Sequence, residues 1–303
     1  MTARLPGLDA ARGVALLAMF VFHGVWDLGH FGYIDTAIPY SPQVKAFGHA
    51  IAVSFLAIAG FALALAHGGA PRWPAFARRL ALVAGAAALV SAATYVLFPD
   101  AFVFFGILHC IAAASLLAAL VLRAPWPVAA AAGAAMLAAP MALASPTFDA
   151  PALWWVGLST FTPLTNDYRP LLPWAGALFL GLAYGQARQS HPLPARGAGP
   201  VFAPLRWLGR HSLALYLVHQ PVFFALFSVA AALSPAGPDA QGFLAACETH
   251  CAVGGGAPAF CQQACHCTVE EAAKPGALPA GDGREARITE IGRACAAKAA
   301  AAR

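Results

Sequence analysis

The sequence has few charged residues. Asp, Glu, Lys and Arg together make up only 10% of the 303 residues, whereas ordinary soluble domains carry about 25%. Hydrophobic residues make up 60%, which excludes a soluble core and indicates an integral membrane protein. The net charge is +5, but neither an aromatic stacking platform nor a basic stripe on a soluble face accompanies it, which excludes nucleic acid as a partner. The expected partner is the lipid bilayer.

The first apolar run also lacks the small-residue cleavage site of a signal peptide and is interrupted by His23 and Asp27. We therefore expect it to be retained as a membrane span. Seven runs are long enough to cross a hydrocarbon layer of about 30 Å: 13–30, 47–66, 79–97, 102–122, 126–145, 171–188 and 212–233. The predicted fold class is all-α, a polytopic membrane helix bundle of about seven helices. The alanine-rich fifth run and the proline-containing sixth run could alternatively be re-entrant segments.

Basic residues are distributed unevenly over the connections between the spans. Ten arginines fall on one side: Arg4, Arg12, Arg72, Arg78, Arg79, Arg123, Arg188, Arg196, Arg206 and Arg210. The opposite connections carry only Lys45 and Arg169. Because basic connections stay on the cytoplasmic side, we expect a cytoplasmic N-terminus and a periplasmic C-terminal tail, with the bundle in a bacterial inner membrane.

Cysteine is nearly absent from the first part of the chain, where Cys110 stands alone. The other six cysteines follow the last span, so the sequence predicts a transmembrane bundle at 1–235 and a small cysteine-rich helical tail at 236–303. Within the tail, residues 275–283 are rich in Gly, Pro and Ala and indicate a linker. A last helix is expected at about 286–301.

Two short antiparallel helices in the tail could be joined by disulfides. Each carries two cysteines four residues apart, on one helical face, and the glycines at 254–256 allow a turn between the helices. That geometry pairs Cys247 with Cys265 and Cys251 with Cys261 and leaves Cys267 for Cys295, although six cysteines allow fifteen pairings. A location outside the cytoplasm favours disulfides over thiols. The alternative is a zinc site formed by Cys261, Cys265, His266 and Cys267, in which adjacent ligands would have an unusual spacing.

Arg12 and His23 bracket the first apolar run. Eleven positions at 100° each come to about 20° past three full turns, so both side chains project from one helical face, roughly 16 Å apart along it. Arg12 would lie at the membrane edge and His23 near the middle. An ionisable group at that depth costs several kcal/mol unless it faces a cavity or a partner. His23 is therefore a candidate functional residue, the alternative being a histidine that only packs between helices.

His23, Asp27 and His30 form one polar stripe in the outer half of the first span. A carboxylate that accepts an imidazole N–H raises the basicity of the ring, as a general base requires. His49, near the outer start of the second span, brings another imidazole to a similar depth. We assign these four residues as catalytic candidates, although Asp27 and His30 could also be interfacial polar residues. Without an HxxxH or HxH motif and with few acidic partners, we predict no metal.

A second polar set is expected at the inner ends of the helices. Guanidinium forks suit phosphate oxygens, so this set could meet an anionic donor. The predicted donor-binding residues of this set are Arg12, Arg206, Arg210 and His219. His109, which is expected in the outer half of the bilayer with the other histidines, is also assigned to donor binding. Each arginine could alternatively serve only to fix the topology of the chain.

The long outer connection at 146–170 combines aromatic and planar polar side chains. Trp154, Trp155, Asn166, Asp167 and Arg169 would suit a sugar and are the predicted acceptor-binding residues. Anchoring of the tryptophans at the membrane interface explains the aromatic pair equally well.

Several strings resemble known membrane acyltransferases. LDAARGVALLAMFVFH resembles the opening helix of the membrane acyltransferase-3 superfamily, whose Arg-x10-His motif is reproduced by Arg12 and His23. Four further strings are similar to the bacterial branch of the heparan-alpha-glucosaminide N-acetyltransferase family: FLAIAG (55–60), FFGILHCIAAA (104–114), DYRPLLPWAGALFLGLAYG (167–185) and LGRHSLALYLVHQPV (208–222). The resemblance covers roughly residues 5–230 and depends on the order and spacing of the strings.

The resemblance implies a multi-pass acyltransferase with acyl-CoA as co-substrate. It would take an acyl group, usually acetyl, from the cytoplasmic side and pass it to a hydroxyl or amine of an envelope saccharide or a similar acceptor. The motif histidine and arginine correspond to His23 and Arg12. Lysosomal members have asparagine at the position of His23 and use a histidine of the first luminal loop, which would correspond to His30, to His49 or to neither. Members of the family can form dimers, so a homodimer is a further expectation.

Two mechanisms of acyl transfer remain open, and two other functions are alternatives to acyl transfer. His23 could act as a base for direct attack, or a histidine could carry the acyl group transiently. A transporter or channel could use the same polar stripe as a solute path, but the second half of the chain does not repeat the first and few acidic residues lie at depth. A tail that binds an envelope partner is weaker still, because seven spans exceed what an anchor requires.

Overall fold

The chain forms helices almost throughout. The computed structural model describes residues 5–35, 37–68, 71–189, 199–233, 240–274, 277–278 and 284–301. It is 81% helical and has no strand among these residues, so the all-α prediction is confirmed. Arg4, Arg196 and most of the predicted linker at 275–283 lie outside the described residues.

Eleven α-helices are present in the described residues. They are α1 (Pro6–His30), α2 (Pro42–His67), α3 (Trp73–Leu97), α4 (Ile107–Ala118), α5 (Trp126–Leu143), α6 (Leu171–Ala187), α7 (Ala203–Arg210), α8 (Ser212–Leu233), α9 (Ala240–Val253), α10 (Pro258–Ala272) and α11 (Arg284–Ala301). Five of them are long and apolar enough to cross a membrane, namely α1, α2, α3, α5 and α8. The protein is therefore a multi-pass membrane protein.

The fourth and sixth predicted spans form shorter apolar helices. Helix α4 has 12 residues and α6 has 17, so neither reaches the length of about 20 residues that a straight crossing needs. The fourth run was predicted from residue 102, but residues 102–106 are not helical and α4 begins only at Ile107. There the Asn166 N–H donates to the Ala101 carbonyl at 2.9 Å, and the Arg169 N–H donates to the Phe105 carbonyl at 3.0 Å.

The described residues fall into two structural units. The first comprises residues 1–21 and 46–219, and the second comprises residues 22–45 and 220–303. In the first unit a buried cluster joins α2, α4, α5 and α6, with Leu56, Cys110, Leu178 and Leu182 fully buried. Lipid is as apolar as these side chains, so close van der Waals packing, rather than expulsion of water, holds such a cluster together.

Glycines allow the backbones of α2 and α6 to approach each other. A Cβ atom at Gly60 would overlap the Leu178 carbonyl oxygen, and one at Gly181 would overlap the Ala57 carbonyl oxygen. Small residues at helix contacts are typical of membrane bundles because they let backbones come close. These two glycines therefore fix how α2 packs on α6.

Alanine at either contact glycine is expected to destabilise the protein. Gly60→Ala or Gly181→Ala forces backbone against a new methyl group, which costs about 1–3 kcal/mol. Gly85 in α3 is the matched control, because nothing lies within 4 Å of a Cβ placed there. Gly85→Ala should be neutral or stabilising by up to about 1 kcal/mol. Melting temperatures of the purified proteins in detergent measure both effects, and equal melting of all three variants would refute this packing.

The tail in the second unit consists of α9, α10 and α11, joined by three disulfides. The pairs are Cys247–Cys265, Cys251–Cys261 and Cys267–Cys295, the same pairs that helix geometry predicts from the sequence. Because all these thiols are oxidised, the alternative zinc site of Cys261, Cys265 and Cys267 has no thiolate to offer. The turn between α9 and α10 contains Gly255 with φ of 83°, a conformation that glycine adopts without strain.

Charged side chains add to the contact between α10 and α11. Glu271 of α10 accepts a hydrogen bond of 2.6 Å from Lys274 and lies 3.9 Å from Lys298 of α11. The hydrogen bond and the charge of Lys274 lower the pKa of Glu271 from its ordinary value. These groups are solvent-exposed, so the disulfides rather than the ion pairs hold the tail together.

Candidate functional site

The N-terminal end of α1 carries a buried carboxylate between two arginines. Asp9 is 6% exposed, and its Oδ1 accepts from Arg12 Nη1 at 3.3 Å while its Oδ2 accepts from Arg210 Nε at 3.4 Å. Arg210 is the last residue of α7. This helix can approach α1 closely because Gly209 has no Cβ atom, and a Cβ there would overlap the Asp9 carbonyl oxygen. The carboxylate therefore holds one guanidinium group from each of two helices.

These residues line a cavity of about 940 Å³ in the first unit. Its charged lining consists of five arginines and one carboxylate: Arg12, Arg72, Arg79, Arg188, Arg210 and Asp9. The remaining lining is largely apolar and includes Phe55, Ile58, Ile111 and Leu213. A pocket of this size with an apolar wall and a few convergent polar groups is typical of a small-molecule site.

The cavity carries excess positive charge. Asp9 can neutralise only one of the five guanidinium groups. Arg72 donates from Nε and Nη2 to the Ala66 carbonyl, at 3.3 and 3.1 Å, which orients its fork without neutralising it. Arg188 Nε is buried and has no acceptor among the residues that the structure describes. A buried donor without a partner needs an explanation, and an anionic ligand in the cavity would supply one.

The sequence predicted only part of this lining. Arg12 and Arg210 lie in the cavity as expected, whereas Arg206 is absent from its described lining and donates to the Gly199 carbonyl at 2.8 Å. The other three arginines were assigned to topology alone, and Asp9 was not singled out. These three arginines lie at the ends of spans on one side of the bundle, which could have indicated a shared site. The positive-inside rule places arginines at the same positions, so the pattern does not distinguish the two roles.

His109 lies in a hydrogen-bond network between α3 and α4. Its Nδ1 accepts from the Gly106 N–H at 3.2 Å, so Nε2 carries the proton of the neutral ring and donates to Ser91 Oγ at 3.1 Å. Ser91 Oγ in turn donates to the Val103 carbonyl at 2.6 Å. Both ring nitrogens are occupied by structural bonds, and the described lining of the cavity includes the neighbouring Leu108 rather than His109.

His219 is buried in α8 at the edge of the first unit. Its Nδ1 lies 2.7 Å from the Tyr216 carbonyl and therefore carries a proton, and its ring stacks on Phe20 at 5.5 Å between centroids. Tyr216 lines the arginine cavity, whereas His219 is not part of the described lining. The structure thus places His219 one helical turn beyond a cavity residue.

The outer part of α1 lies in the second unit and carries the predicted catalytic stripe. His23 is half-buried, Asp27 is completely buried and His30 is exposed. Gln220 Nε2 of α8 donates to Asp27 Oδ1 at 2.9 Å. The His30 ring stacks on Trp26 at 5.1 Å and lies 5.6 Å from Phe224. The polar stripe predicted Asp27 as an orienting carboxylate, but no sequence pattern indicated its contact with Gln220.

His49 belongs to a separate group in the first unit. It is exposed, and its ring meets the edge of Trp174 at 5.2 Å. The guanidinium of Arg169 lies over the same indole at 4.8 Å. Trp174 therefore brings together His49 and Arg169, two residues that sequence analysis assigned to different roles.

The predicted acceptor-binding loop makes many internal contacts. Asp167 Oδ2 accepts the Ile107 N–H at 2.9 Å and so caps the first turn of α4. Tyr168 donates its hydroxyl to the Trp154 carbonyl at 2.7 Å, and burial raises the pKa of Tyr168. Trp154 is partly buried, whereas Trp155 is 42% exposed and Asn166 is exposed. The loop is thus a folded structure that leaves Trp155 and Asn166 accessible.

A family model for the catalytic region of heparan-alpha-glucosaminide N-acetyltransferase matches residues 4–221. The chain belongs to this family. The matched range includes all lining residues of the arginine cavity, the α1 stripe and Gln220, whereas the disulfide-linked tail lies beyond it. The protein is accordingly an N-acetyltransferase-like membrane enzyme.

The other two comparisons add no relative of this acetyltransferase-like protein. Neither the curated proteins nor the solved structures contain a match to the chain. Among the described residues, no three His, Cys, Asp or Glu side chains are grouped as a metal site would require.

Removing the α4 cap tests whether Asp167 is structural. Asp167→Ala leaves the Ile107 N–H without its acceptor and is expected to cost about 1–2 kcal/mol of stability. Asn166→Ala, next to it in the same loop and exposed, should change stability by less than about 0.5 kcal/mol. Thermal unfolding in detergent measures both variants. Unchanged melting of Asp167→Ala together with weaker acceptor binding would instead assign Asp167 to the acceptor.

Proposed function

We propose that this protein transfers an acetyl group from acetyl-CoA, bound in the arginine cavity, to an amine or hydroxyl of a saccharide on the opposite side of the membrane. The observation that carries the proposal is the cavity with five arginines and one carboxylate. The family supplies acetyl transfer as the reaction class. The donor, its side of the membrane and the acceptor are the proposed parts.

The charge of the cavity suits the nucleotide end of acetyl-CoA. Its diphosphate and its ribose phosphate carry about four negative charges at neutral pH. Arginine binds phosphate oxygens through paired N–H groups and stays charged in a partly buried site. The apolar lining formed by Phe55, Ile58 and Ile111 would accommodate the uncharged pantetheine arm. Positive-inside orientation would open this end of the bundle to cytoplasmic acetyl-CoA.

His23 is the proposed base. The acceptor nitrogen or oxygen attacks the thioester carbonyl carbon, the C–S bond breaks and the CoA thiolate leaves. The proton of the acceptor N–H or O–H passes to His23, which can then return it to the thiolate. Arg12 and His23 lie on the continuous helix α1, so one helix would contribute both to donor binding and to acetyl transfer.

Loss of cavity charge is expected to weaken donor binding. Arg79→Gln or Arg188→Gln should raise the Kd for acetyl-CoA at least about tenfold, the equivalent of 1.4 kcal/mol, because each removes a charged phosphate contact. Arg78→Gln is the matched control, since Arg78 is an exposed neighbour in α3 that does not line the cavity. Isothermal titration of the purified protein with acetyl-CoA gives the three values. Equal affinities in all variants would refute the cavity as the donor site.

His23→Ala is expected to abolish acetyl transfer while leaving the Kd for acetyl-CoA within about twofold. The imidazole serves proton transfer, a contribution of about 10²–10⁴-fold in rate. Turnover is measured as acceptor-dependent release of CoA from acetyl-CoA in proteoliposomes. Retained turnover in His23→Ala would exclude this histidine as the base and favour His30 or His49.

A further inference from the structure

Two buried oxygen atoms of the second unit receive no hydrogen bond from the residues that the structure describes. Asp27 is fully buried, and only its Oδ1 receives the amide of Gln220, at 2.9 Å. Asp27 Oδ2 and Gln220 Oε1 are both buried and lack a donor among the residues that the structure describes. The pair therefore presents two acceptor atoms that the described part of the chain does not satisfy.

Such an arrangement is costly in a membrane protein. A buried polar group without a partner costs about 1–3 kcal/mol, and a charged one costs more. The other buried carboxylate of α1, Asp9, shows how the chain usually avoids this cost, because each of its oxygens receives an arginine N–H. Asparagine at position 27 would also avoid it, because an amide can both accept from and donate to Gln220. The chain retains a carboxylate where an amide would satisfy the pair.

Aromatic side chains lie on both helices that carry the pair. Trp26 and His30 stack on each other beside Asp27 in α1, and Phe224 follows Gln220 by one turn in α8. Pro221 comes directly after Gln220 within α8 and cannot donate a backbone hydrogen bond. A bound group can supply donors to the two oxygens.

We propose that Asp27 and Gln220 bind the hydrogen-bond-donating group of the acceptor, an amine or a hydroxyl, through Asp27 Oδ2 and Gln220 Oε1. Gln220 has a second role in positioning Asp27, because its amide holds Asp27 Oδ1 and thereby turns Oδ2 toward the bound group. The inference rests on the proposed function for the identity of the ligand as an acetyl acceptor. The donor-free pair itself is a property of the fold and can be tested without any ligand.

The ligand-free test compares two carboxylates of the same helix. Asp27→Asn allows a mutual amide pair with Gln220 and is expected to raise the melting temperature by about 2–4 °C. Asp9→Asn removes the charge shared by two arginines and should lower it by a similar amount or more. Thermal unfolding of the full chain in detergent measures both. An unchanged or lower melting temperature of Asp27→Asn would overturn the inference, whatever the acceptor is.

The kinetic test uses glucosamine as the amine probe and glucose as the hydroxyl probe. Gln220→Leu is expected to lower kcat/KM for the accepted probe at least about tenfold, while the Kd for acetyl-CoA stays within twofold. Gln186→Leu is the control, because Gln186 of α6 is also half-buried with a donor-free Oε1 but donates only to backbone carbonyls. It should affect stability rather than acceptor kinetics. Equal acceptor kinetics in Gln220→Leu and the parent protein would overturn the positioning role.

The two proposals fail in different ways. Absence of acetyl-CoA binding by the parent protein would refute the proposed function. The melting comparison of Asp27→Asn with Asp9→Asn would still test whether Asp27 and Gln220 carry unsatisfied acceptor atoms. Normal acetyl-CoA binding and turnover with Gln220→Leu unaffected would refute only the pair. Turnover of glucosamine without glucose, or the reverse, assigns the bound group as an amine or as a hydroxyl.

Discussion

The contact of Asp9 with Arg12 and Arg210 is the interaction on which the arginine cavity depends. Two guanidinium groups from different helices repel each other unless a carboxylate lies between them. Asp9 supplies that carboxylate, and Gly209 lets α7 come close enough for Arg210 to reach it. The single negative charge of Asp9 holds two of the arginines in the cavity lining but cannot neutralise all five. The assembled cavity therefore keeps a strong attraction for anions.

Much of the fold could be predicted from hydrophobic runs and cysteine spacing. Each of the seven predicted spans contains an α-helix, although the fourth becomes helical only at Ile107, and the glycine turn between α9 and α10 lies where the sequence indicated. The non-helical segment before Ile107 could not be predicted, because its apolar residues are indistinguishable from the start of a helix by periodicity. Its conformation is fixed by backbone pairing with residues 165–169, a contact about 60 residues away in the chain.

The candidate site was less predictable, for physical reasons that differ between its residues. No sequence pattern at Arg79 or Arg188 distinguishes a ligand-binding role from a role in membrane topology, since each role requires a cation at a helix end. His109 was assigned to donor binding, but Ser91 and Gly106 complete its hydrogen bonds. Only tertiary structure distinguishes a satisfied imidazole from one that is available for chemistry. The same holds for Asp27, whose incomplete bonding becomes visible only once Gln220 is placed beside it.

The three disulfides of the tail have a consequence for how the protein is made. Thiols in the cytosol are kept reduced, whereas those in an oxidising compartment can pair, so the three disulfides can form and persist only where the tail meets an oxidising compartment. The seventh cysteine, Cys110, is completely buried in α4 and is withheld from exchange with them. Oxidation of the tail is therefore a chemical event distinct from the packing of the apolar helices. The covalent state of those six sulfur atoms in cells is a lasting record of the compartment that the C-terminus has reached.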